Sequence, residues 1–268
     1  MRRPQVIGSV VGAVAVFLGV LYWAALAESK GGERGLIERG KKVYQRMCMG
    51  CHGPGGDGSG FEARLLSIKP PDLTRGIFKF RTTPTGELPT DEDLYHTITR
   101  GIFRSSMPHH TLTSEEDRRA LVEYVKTFYK KWQTETSQNP IPAPDPPGDL
   151  GSPESEARGH ELYELLQCWA CHGGAGKANG PAALSLAPDT WNRPQVPFDF
   201  TRGGLKGGSG VKDVYRTFMT GLNGTAMDSY GDLFLNPDGK VIRENDAWHL
   251  VSYILTLRKS AVPSQTGK

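Results

Sequence analysis

The sequence predicts an all-α protein built from two tandem copies of one small helical unit, behind an apolar N-terminal segment. Three observations support this fold class: an internal repeat, apolar residues at helical spacing in both copies, and a proline-rich stretch between them. The 268 residues are enough for two units that each bury a core. The 33 glycines and 19 prolines predict long loops between short helices.

The repeat consists of three runs of residues that occur in the same order in both copies. The matching runs are 39–44 with 158–163, 71–76 with 197–203, and 93–107 with 213–227. The last pair aligns without a gap, and each of its members ends in a methionine. A closing segment with apolar residues on one helical face follows in each copy.

A linker separates the two copies at 133–153. Its central part, 139–147, contains five prolines in nine residues. Such a stretch favours polyproline geometry and acts as a semi-rigid spacer. We therefore predict one domain over 33–132 and a second over 154–260.

The first 27 residues predict a targeting segment that also serves as a transmembrane anchor. Arg2 and Arg3 form a positive start, and 6–27 carries no charge over a length that can span a bilayer. Residues 25–27, Ala-Leu-Ala, fit a signal-peptidase site, so a cleaved signal and a soluble periplasmic protein are the alternative. In both cases the rest of the chain is expected on the periplasmic side of a bacterial inner membrane.

All four cysteines fall in two Cys-x-x-Cys-His patterns, at 48–52 and 168–172. This is the attachment pattern of c-type haem. Two thiols must reach the two vinyl groups of one porphyrin, and one helical turn places residues i and i+3 on the same side. The next residue, histidine, then lies under the iron. The predicted attachment and axial residues are Cys48, Cys51 and His52 in the first copy and Cys168, Cys171 and His172 in the second.

Zinc and a redox-active dithiol are the alternatives for paired cysteines. Zinc knuckles normally lie within tens of residues of each other, whereas Cys48 and Cys168 are 120 positions apart. A dithiol site belongs to a βαβ context that this sequence lacks. Haem attachment accounts for every cysteine, and we expect two haems c with their iron.

A methionine is predicted as the second axial ligand in each copy. Met107 and Met227 end the gapless match between the copies. A thioether is a soft ligand that suits an electron-carrying iron and raises its potential relative to a second imidazole. His109 and His110 are the rival ligands in the first copy, and gap-filling in the core is the alternative role for both methionines.

Arg75 and Arg202 are candidate contacts for the haem propionates. Both follow a shared Asp-x-Thr run, and an arginine fork pairs well with a carboxylate. A solvated charge beside a glycine turn is the alternative for each.

These motifs resemble those of the class I cytochromes c over about 34–131 and 155–259. The tandem arrangement behind an anchor is similar to the dihaem cytochrome c subunits of bacterial respiratory complexes. The resemblance implies small all-α domains, each with short helices and long loops around a haem, a His/Met iron and a periplasmic location. Two departures are that Asp228 follows Met227 where proline is usual, and that the second copy has one extra residue before its first cysteine.

The function expected from this resemblance is single-electron transfer in a periplasmic or membrane respiratory chain, as a subunit or partner of a larger redox complex. Redox proteins and the membrane are the expected partners, and no catalytic group is required. The net charge of +3 is too small to suggest nucleic-acid binding. The alternative is a dihaem peroxidase or small-substrate reductase, which needs an open haem iron.

Overall fold

The computed structural model describes residues 31–135, 140–235, 242–243 and 245–259, and these residues contain helices and no strand. The long and short α-helices of the first unit are α1 (31–47), α2 (Met49–His52), α3 (Asp91–Arg100) and α4 (Glu115–Lys126). Those of the second unit are α5 (Pro153–Leu165), α6 (Trp169–His172), α7 (Val211–Thr220), α8 (Gly231–Leu235) and α9 (Asp246–Lys259). Short 3-10 helices occupy Phe61–Leu65, Leu73–Arg75, Lys130–Gln133 and Phe200–Arg202. The all-α prediction is confirmed for this part of the chain.

The predicted anchor at 1–27 lies outside the described residues. Within the described ranges, no helix has both the length and the apolar character needed to cross a bilayer.

A close crossing of the first and last long helices organises each unit. A Cβ on Gly40 of α1 would lie 2.0 Å from the carbonyl oxygen of Ala120 in α4, and a Cβ on Gly159 of α5 would lie 2.0 Å from that of His249 in α9. Only glycine permits such an approach of two backbones. The repeated glycine is therefore explained by packing.

The arginine before each of these glycines binds the first turn of the same last helix. Arg39 Nε donates to Asp117 Oδ1 at 2.7 Å. Arg158 donates to both carboxylate oxygens of Asp246, at 2.9 and 2.6 Å. The Asp246 side chain is 1% exposed and that of Asp117 is 23% exposed, so the second pair is the more buried. The Arg-Gly repeat thus encodes both an ion pair and a helix crossing.

The apolar core is larger in the second unit. Its buried cluster is formed mainly by side chains of α5, α7 and α9, among them Leu162, Tyr163, Phe218, Trp248 and Val251. The buried cluster of the first unit contains Val43, Tyr44 and Leu121.

The described part of the predicted linker, 140–152, contains no helix and contacts both units. The amide of Ile141 donates to the carbonyl of Thr82 in the first unit at 2.7 Å, and its side chain packs on the core cluster of the second. Lys212 of α7 forms an exposed ion pair with Asp145 at 2.7 Å. This segment therefore lies along the packed units.

Polar contacts join the two units directly. Arg100 at the end of α3 pairs with Asp213 in the first turn of α7 at 3.1 Å. Arg81 and Thr85 of the first unit both donate to the carbonyl of Thr220, at 2.8 and 2.9 Å. The units are thus held in one arrangement by side chains that bind backbone and charge across the interface.

Candidate haem sites

Each Cys-x-x-Cys-His motif forms a single helical turn directly after the first long helix of its unit. The amide of His52 donates to the carbonyl of Cys48 at 2.9 Å, and that of His172 donates to Cys168 at 2.9 Å. The two cysteines of a motif are therefore one turn apart on one side of the chain. This is the geometry that attachment to two vinyl groups requires.

A buried tyrosine fixes the chain just after each histidine. Tyr44 donates its hydroxyl hydrogen to the carbonyl of Gly53 at 2.6 Å, and Tyr163 donates to that of Gly173 at 2.7 Å. Both glycines have a φ of 78°, in the left-handed region. Burial raises the pKa of both tyrosines, so they stay hydroxyl donors.

The extra residue of the second copy is absorbed immediately before its motif. Gln167 has a φ of 54°, and the amide of Cys168 reaches back five residues to Tyr163 at 3.0 Å. In the first copy the amide of Cys48 reaches back four residues to Tyr44 at 2.8 Å. The insertion is a local bulge that leaves the motif and its tyrosine in register.

Burial favours the neutral form of the two motif histidines. Nδ1 of His172 lies 3.0 Å from the carbonyl oxygen of Phe198. A carbonyl only accepts, so Nδ1 carries the proton and the lone pair of Nε2 is left for iron. Burial lowers the pKa of both His52 and His172, which favours the neutral form that binds metal.

An apolar cleft joins the first motif to the loop that carries Met107. Cys48, Cys51, His52 and Met107 all line this cleft. Aliphatic and aromatic side chains form much of the remaining wall, including Leu66, Ile68, Ile77, Phe78, Leu94 and Ile98. A wall of this kind excludes water and suits a porphyrin face, so the residues present fit a haem.

Met107 and Met227 lie in loops with the same hydrogen bonds. The amide of Met107 donates to Ser105 Oγ at 3.1 Å, and that of Met227 donates to Thr225 Oγ1 at 3.2 Å. In both loops the methionine carbonyl accepts from the amide five residues earlier, at 3.1 and 2.8 Å. The two methionines are thus structurally equivalent, and their role as ligands stays a prediction.

The two rival histidines of the first copy differ in position. His110 lines the cleft, and burial lowers its pKa, with a further contribution from His109. His109 is exposed, and its Nδ1 lies 3.1 Å from Thr111 Oγ1. Of the two, His110 is the one that stays a rival to Met107.

The alternatives for the cysteines find little support. Burial raises the pKa of Cys48 to about 11 and that of Cys168 to about 12. A redox-active dithiol needs the opposite shift, since the thiolate is its reactive form. In the described part of the chain, no three His, Cys, Asp or Glu side chains are grouped so as to hold a metal ion such as zinc.

Comparison with known proteins agrees with this geometry. Residues 35–125 match the family model "Cytochrome C oxidase, cbb3-type, subunit III", and residues 156–258 match the model "Cytochrome c". One similar solved chain belongs to the Kuenenia stuttgartiensis reducing HAO-like protein complex Kustc0457/Kustc0458. It is 38% identical with a TM-score of 0.74, over 82% of this chain and 96% of that one. No curated protein matches.

The chain belongs to the cytochrome c family. The predicted resemblance is confirmed, and this cytochrome carries two covalently bound haems c, one in each domain. The exact domain limits and the individual ligands stay predictions.

The two arginines proposed for the propionates are engaged elsewhere in this cytochrome. Arg75 Nη1 donates to the carbonyl of Thr190 in the second domain at 2.7 Å. The Arg202 side chain is exposed, and its Nε lies 3.8 Å from Asp199 Oδ2. The backbone carbonyl of Arg202 accepts a hydrogen bond from Arg104 Nη1. Arg75 therefore serves the domain interface, and the propionate role of both residues stays a prediction.

Sequence reasoning missed several residues that line the first cleft. Trp191, Arg193 and Lys206 come from the second domain, and Lys69 and Lys79 come from the first. A difference in length between the two copies could have drawn attention to Trp191 and Arg193. The chain from the motif histidine to the Thr-Arg-Gly run is seven residues longer in the second copy, and Trp191 and Arg193 lie in that longer stretch.

One loop position distinguishes the two copies. Arg104 has a φ of 55° and Gly224 a φ of 77°, and each lies three residues after the glycine that ends the preceding helix. A Cβ on Gly224 would lie 3.0 Å from Ile77 and 3.0 Å from Trp191. Glycine suits this position because Ile77 of the other domain and Thr190 and Trp191 of its own domain crowd it.

Proposed function

We propose that this cytochrome passes single electrons between redox proteins as a subunit or partner of a larger complex. Bound haem c supplies reversible one-electron exchange between ferrous and ferric iron. The residues of the chain would hold each haem, exclude water from it, and keep the two haem sites close together. The cleft lining and the domain interface support each of these roles.

The observation that carries the proposal is the contact between the first cleft and the loop that ends at Met227. Ile77 lines that cleft and meets Gly224, whose Cβ position is 3.0 Å from Ile77 Cγ2. Thr190 donates to the carbonyl of Gly224 from its amide at 2.9 Å and from its hydroxyl at 3.1 Å. The wall of one site is therefore packed against the predicted axial-ligand loop of the other, which suits transfer between them.

Polar contacts between the domains keep this arrangement fixed. Arg193 of the second domain donates to the carbonyls of Lys69 and Pro70 in the first, at 2.8 and 2.7 Å. Lys79 of the first domain lies 3.4 Å from Asp189 of the second, whose side chain is buried. A fixed separation between two redox centres supports a constant rate of exchange.

The solved relative supports the larger assembly. That chain is part of a reducing HAO-like protein complex, and the similarity covers nearly all of it. We infer that this cytochrome also binds a HAO-like redox protein. Copurification from solubilised native membranes, followed by mass spectrometry, should recover such a partner, and a chain that elutes alone at every ionic strength contradicts the assembly.

Residues 1–27 are proposed to hold the protein in the bacterial inner membrane, with both haem domains on the periplasmic side as part of a respiratory chain. The uncharged stretch 6–27 supports this topology. N-terminal sequencing of the mature protein distinguishes an anchor from a cleaved signal, because cleavage after Ala27 would leave Glu28 first. An intact N-terminus that resists carbonate extraction is the expected result.

The electron-transfer proposal is tested with the purified holoprotein. Optical redox titration should resolve two one-electron components, and the proposal fails if neither haem is reducible within a physiological range. After flash photoreduction of about half of the haems, electrons should redistribute between the two sites at a rate independent of protein concentration. A rate proportional to concentration would mean that exchange occurs between molecules and would contradict an internal relay.

A further inference from the structure

The first haem site is built partly by the second domain. Trp191 and Arg193 reach its cleft from one loop of that domain, and Lys206 reaches it from another. Two separate segments of the second domain thus form part of the cleft wall. Nothing in the sequence of the first copy alone would supply these groups.

The loop that carries Trp191 is held in one shape by the carboxylate of Asp189. Oδ1 of Asp189 accepts from the amides of Trp191 and Arg193, both at 3.0 Å. The amide of Asp189 donates to the carbonyl of Arg193 at 2.8 Å, which closes the loop. Asn192 at its tip has a φ of 58°. The hydrogen bonds of this turn therefore fix the position of the indole.

The indole nitrogen of Trp191 is a buried donor without an acceptor. Nε1 is inaccessible to solvent and has no hydrogen-bond partner among the described residues. Indole N–H is a donor only, and leaving such a group buried and unpaired is unfavourable. A buried donor of this kind calls for an acceptor, and a group bound in the adjoining cleft is one source of it.

Cationic side chains surround Trp191, and one of them, Lys79, is paired with the carboxylate of Asp189. Lys79 Nζ lies 5.0 Å from the indole ring centroid, and the guanidinium carbon of Arg193 lies 5.9 Å from it. Arg193 donates to two backbone carbonyls, so no carboxylate neutralises it there. Lys206 has no hydrogen-bond or ion-pair partner within the described ranges. Burial lowers its pKa, and the nearby charges of Lys79 and Arg104 lower it further.

We propose that the second domain completes the haem site of the first. The indole N–H of Trp191 donates to a propionate of the first haem, and Arg193 and Lys206 supply the compensating positive charge. A propionate is the anionic acceptor that this cleft lacks, and it belongs to the group that the cleft already fits. The inference rests on the bound haem and is independent of the proposed electron-transfer partners.

The test compares Trp191→Phe with Trp132→Phe in the full-length holoprotein. Trp132 packs edge-on against Phe78, at 5.2 Å between ring centroids, and does not line the cleft. Removing the Trp191 donor leaves the propionate charge less compensated, which stabilises ferric iron. In redox titrations the potential of the first haem should therefore fall in Trp191→Phe, while that of the second haem stays unchanged. In Trp132→Phe both potentials should equal those of the wild type. The component that Met107→Ala also perturbs identifies the first haem.

Charge is tested separately with Arg193→Gln and Arg193→Lys. Arg193→Gln should lower the potential of the first haem. It should also raise the pKa of the propionate, and with it the pH at which that potential changes. Arg193→Lys keeps the charge, so both effects should be smaller in that variant. Resonance Raman spectra provide a second readout, because the propionate bending band should shift in Trp191→Phe and stay in place in the control Trp132→Phe. Equal shifts of both haems would mean that the substitution only loosens the interface and would overturn the proposal, as would unchanged potentials and spectra.

Discussion

The guanidinium of Arg81 in the first domain donates from Nη2 to the carbonyl of Thr220, the last residue of α7 in the second domain, at 2.8 Å. Nε of the same arginine donates to the carbonyl of Pro84 at 3.2 Å. The arginine is 1% exposed, and burial lowers its pKa to about 10. The negative end of the α7 dipole lies at Thr220 and favours a cation there. A buried charge is thus held by one backbone carbonyl of its own domain and one of the other domain.

Replacing Arg81 with alanine should lower the stability of the protein, because it removes these hydrogen bonds at the domain interface. Hydrogen bonds from a charged group contribute about 1.5–3 kcal/mol each, so we expect the free energy of unfolding to fall by about 2 kcal/mol. Urea denaturation followed by circular dichroism measures the change. Arg34→Ala is the matched control, because Arg34 is exposed on α1. Equal stability of the two variants would contradict the role given to Arg81.

Gly40→Ala tests the helix crossing of the first domain. The new Cβ would lie 2.0 Å from the carbonyl oxygen of Ala120, so the helices must separate. We expect a loss of about 3 kcal/mol in the free energy of unfolding, at the upper end of the usual cost of overpacking.

Gly35→Ala in the same helix is the control for that substitution. Outside the backbone of its own helix, no atom of the described residues lies within 4 Å of its Cβ position, and alanine favours a helix over glycine by about 1 kcal/mol. The control should therefore be as stable as the wild type or more so. Similar losses in the two variants would mean that the close approach at Gly40 is unimportant.

The ion pair between Asp246 and Arg158 should give a pH-dependent contribution to stability. Burial opposes ionisation, but hydrogen bonds from Arg158 and from the amide of Arg243 hold the pKa of Asp246 below its usual range. A lowered pKa means that folding favours the carboxylate. The stabilisation is therefore complete above the ordinary pKa of aspartate and is lost as the pH falls through the lower folded-state pKa.

Asp246→Asn should accordingly lower the free energy of unfolding by about 3 kcal/mol near neutral pH, because it removes the buried carboxylate that accepts two hydrogen bonds from Arg158. The difference from the wild type should shrink in acid. Asp117→Asn removes the equivalent but more exposed carboxylate that pairs with Arg39, and a smaller loss is expected. Unfolding curves measured from neutral to acidic pH would contradict the interpretation if the two variants behaved alike.

Met107→Ala tests the predicted axial ligand of the first haem. Loss of a thioether should change the ferric ligand spectrum of one haem and lower its potential. Met47 also lines the cleft but has no predicted role on iron, so Met47→Ala is the matched control. If Met107→Ala leaves the spectrum unchanged and His110→Ala alters it, then His110 is the ligand.

The features that could be predicted from sequence are those fixed within one copy of the repeat. The Cys-x-x-Cys-His turns, the Arg-Gly pair at 39–40 and the equivalence of Met107 with Met227 all follow from local pattern or from comparison of the copies. The contacts of Arg81 and Trp191 could not be predicted. Arg81 binds a backbone carbonyl in the other domain, and every residue type offers such an acceptor. Trp191 enters the first cleft only because the domains pack together, and that arrangement has no signature in residue spacing.

The loop position shared by Arg104 and Gly224 limits how this protein can evolve. A gene that arises by duplication starts with two identical halves, and recombination can keep copying one half onto the other. Copying the first loop over the second would place an arginine at position 224, where the Cβ alone would lie 3.0 Å from Ile77 and from Trp191. Because the domains pack together at this loop, such an exchange should weaken their packing, and each half can change only within the limits set by its neighbour.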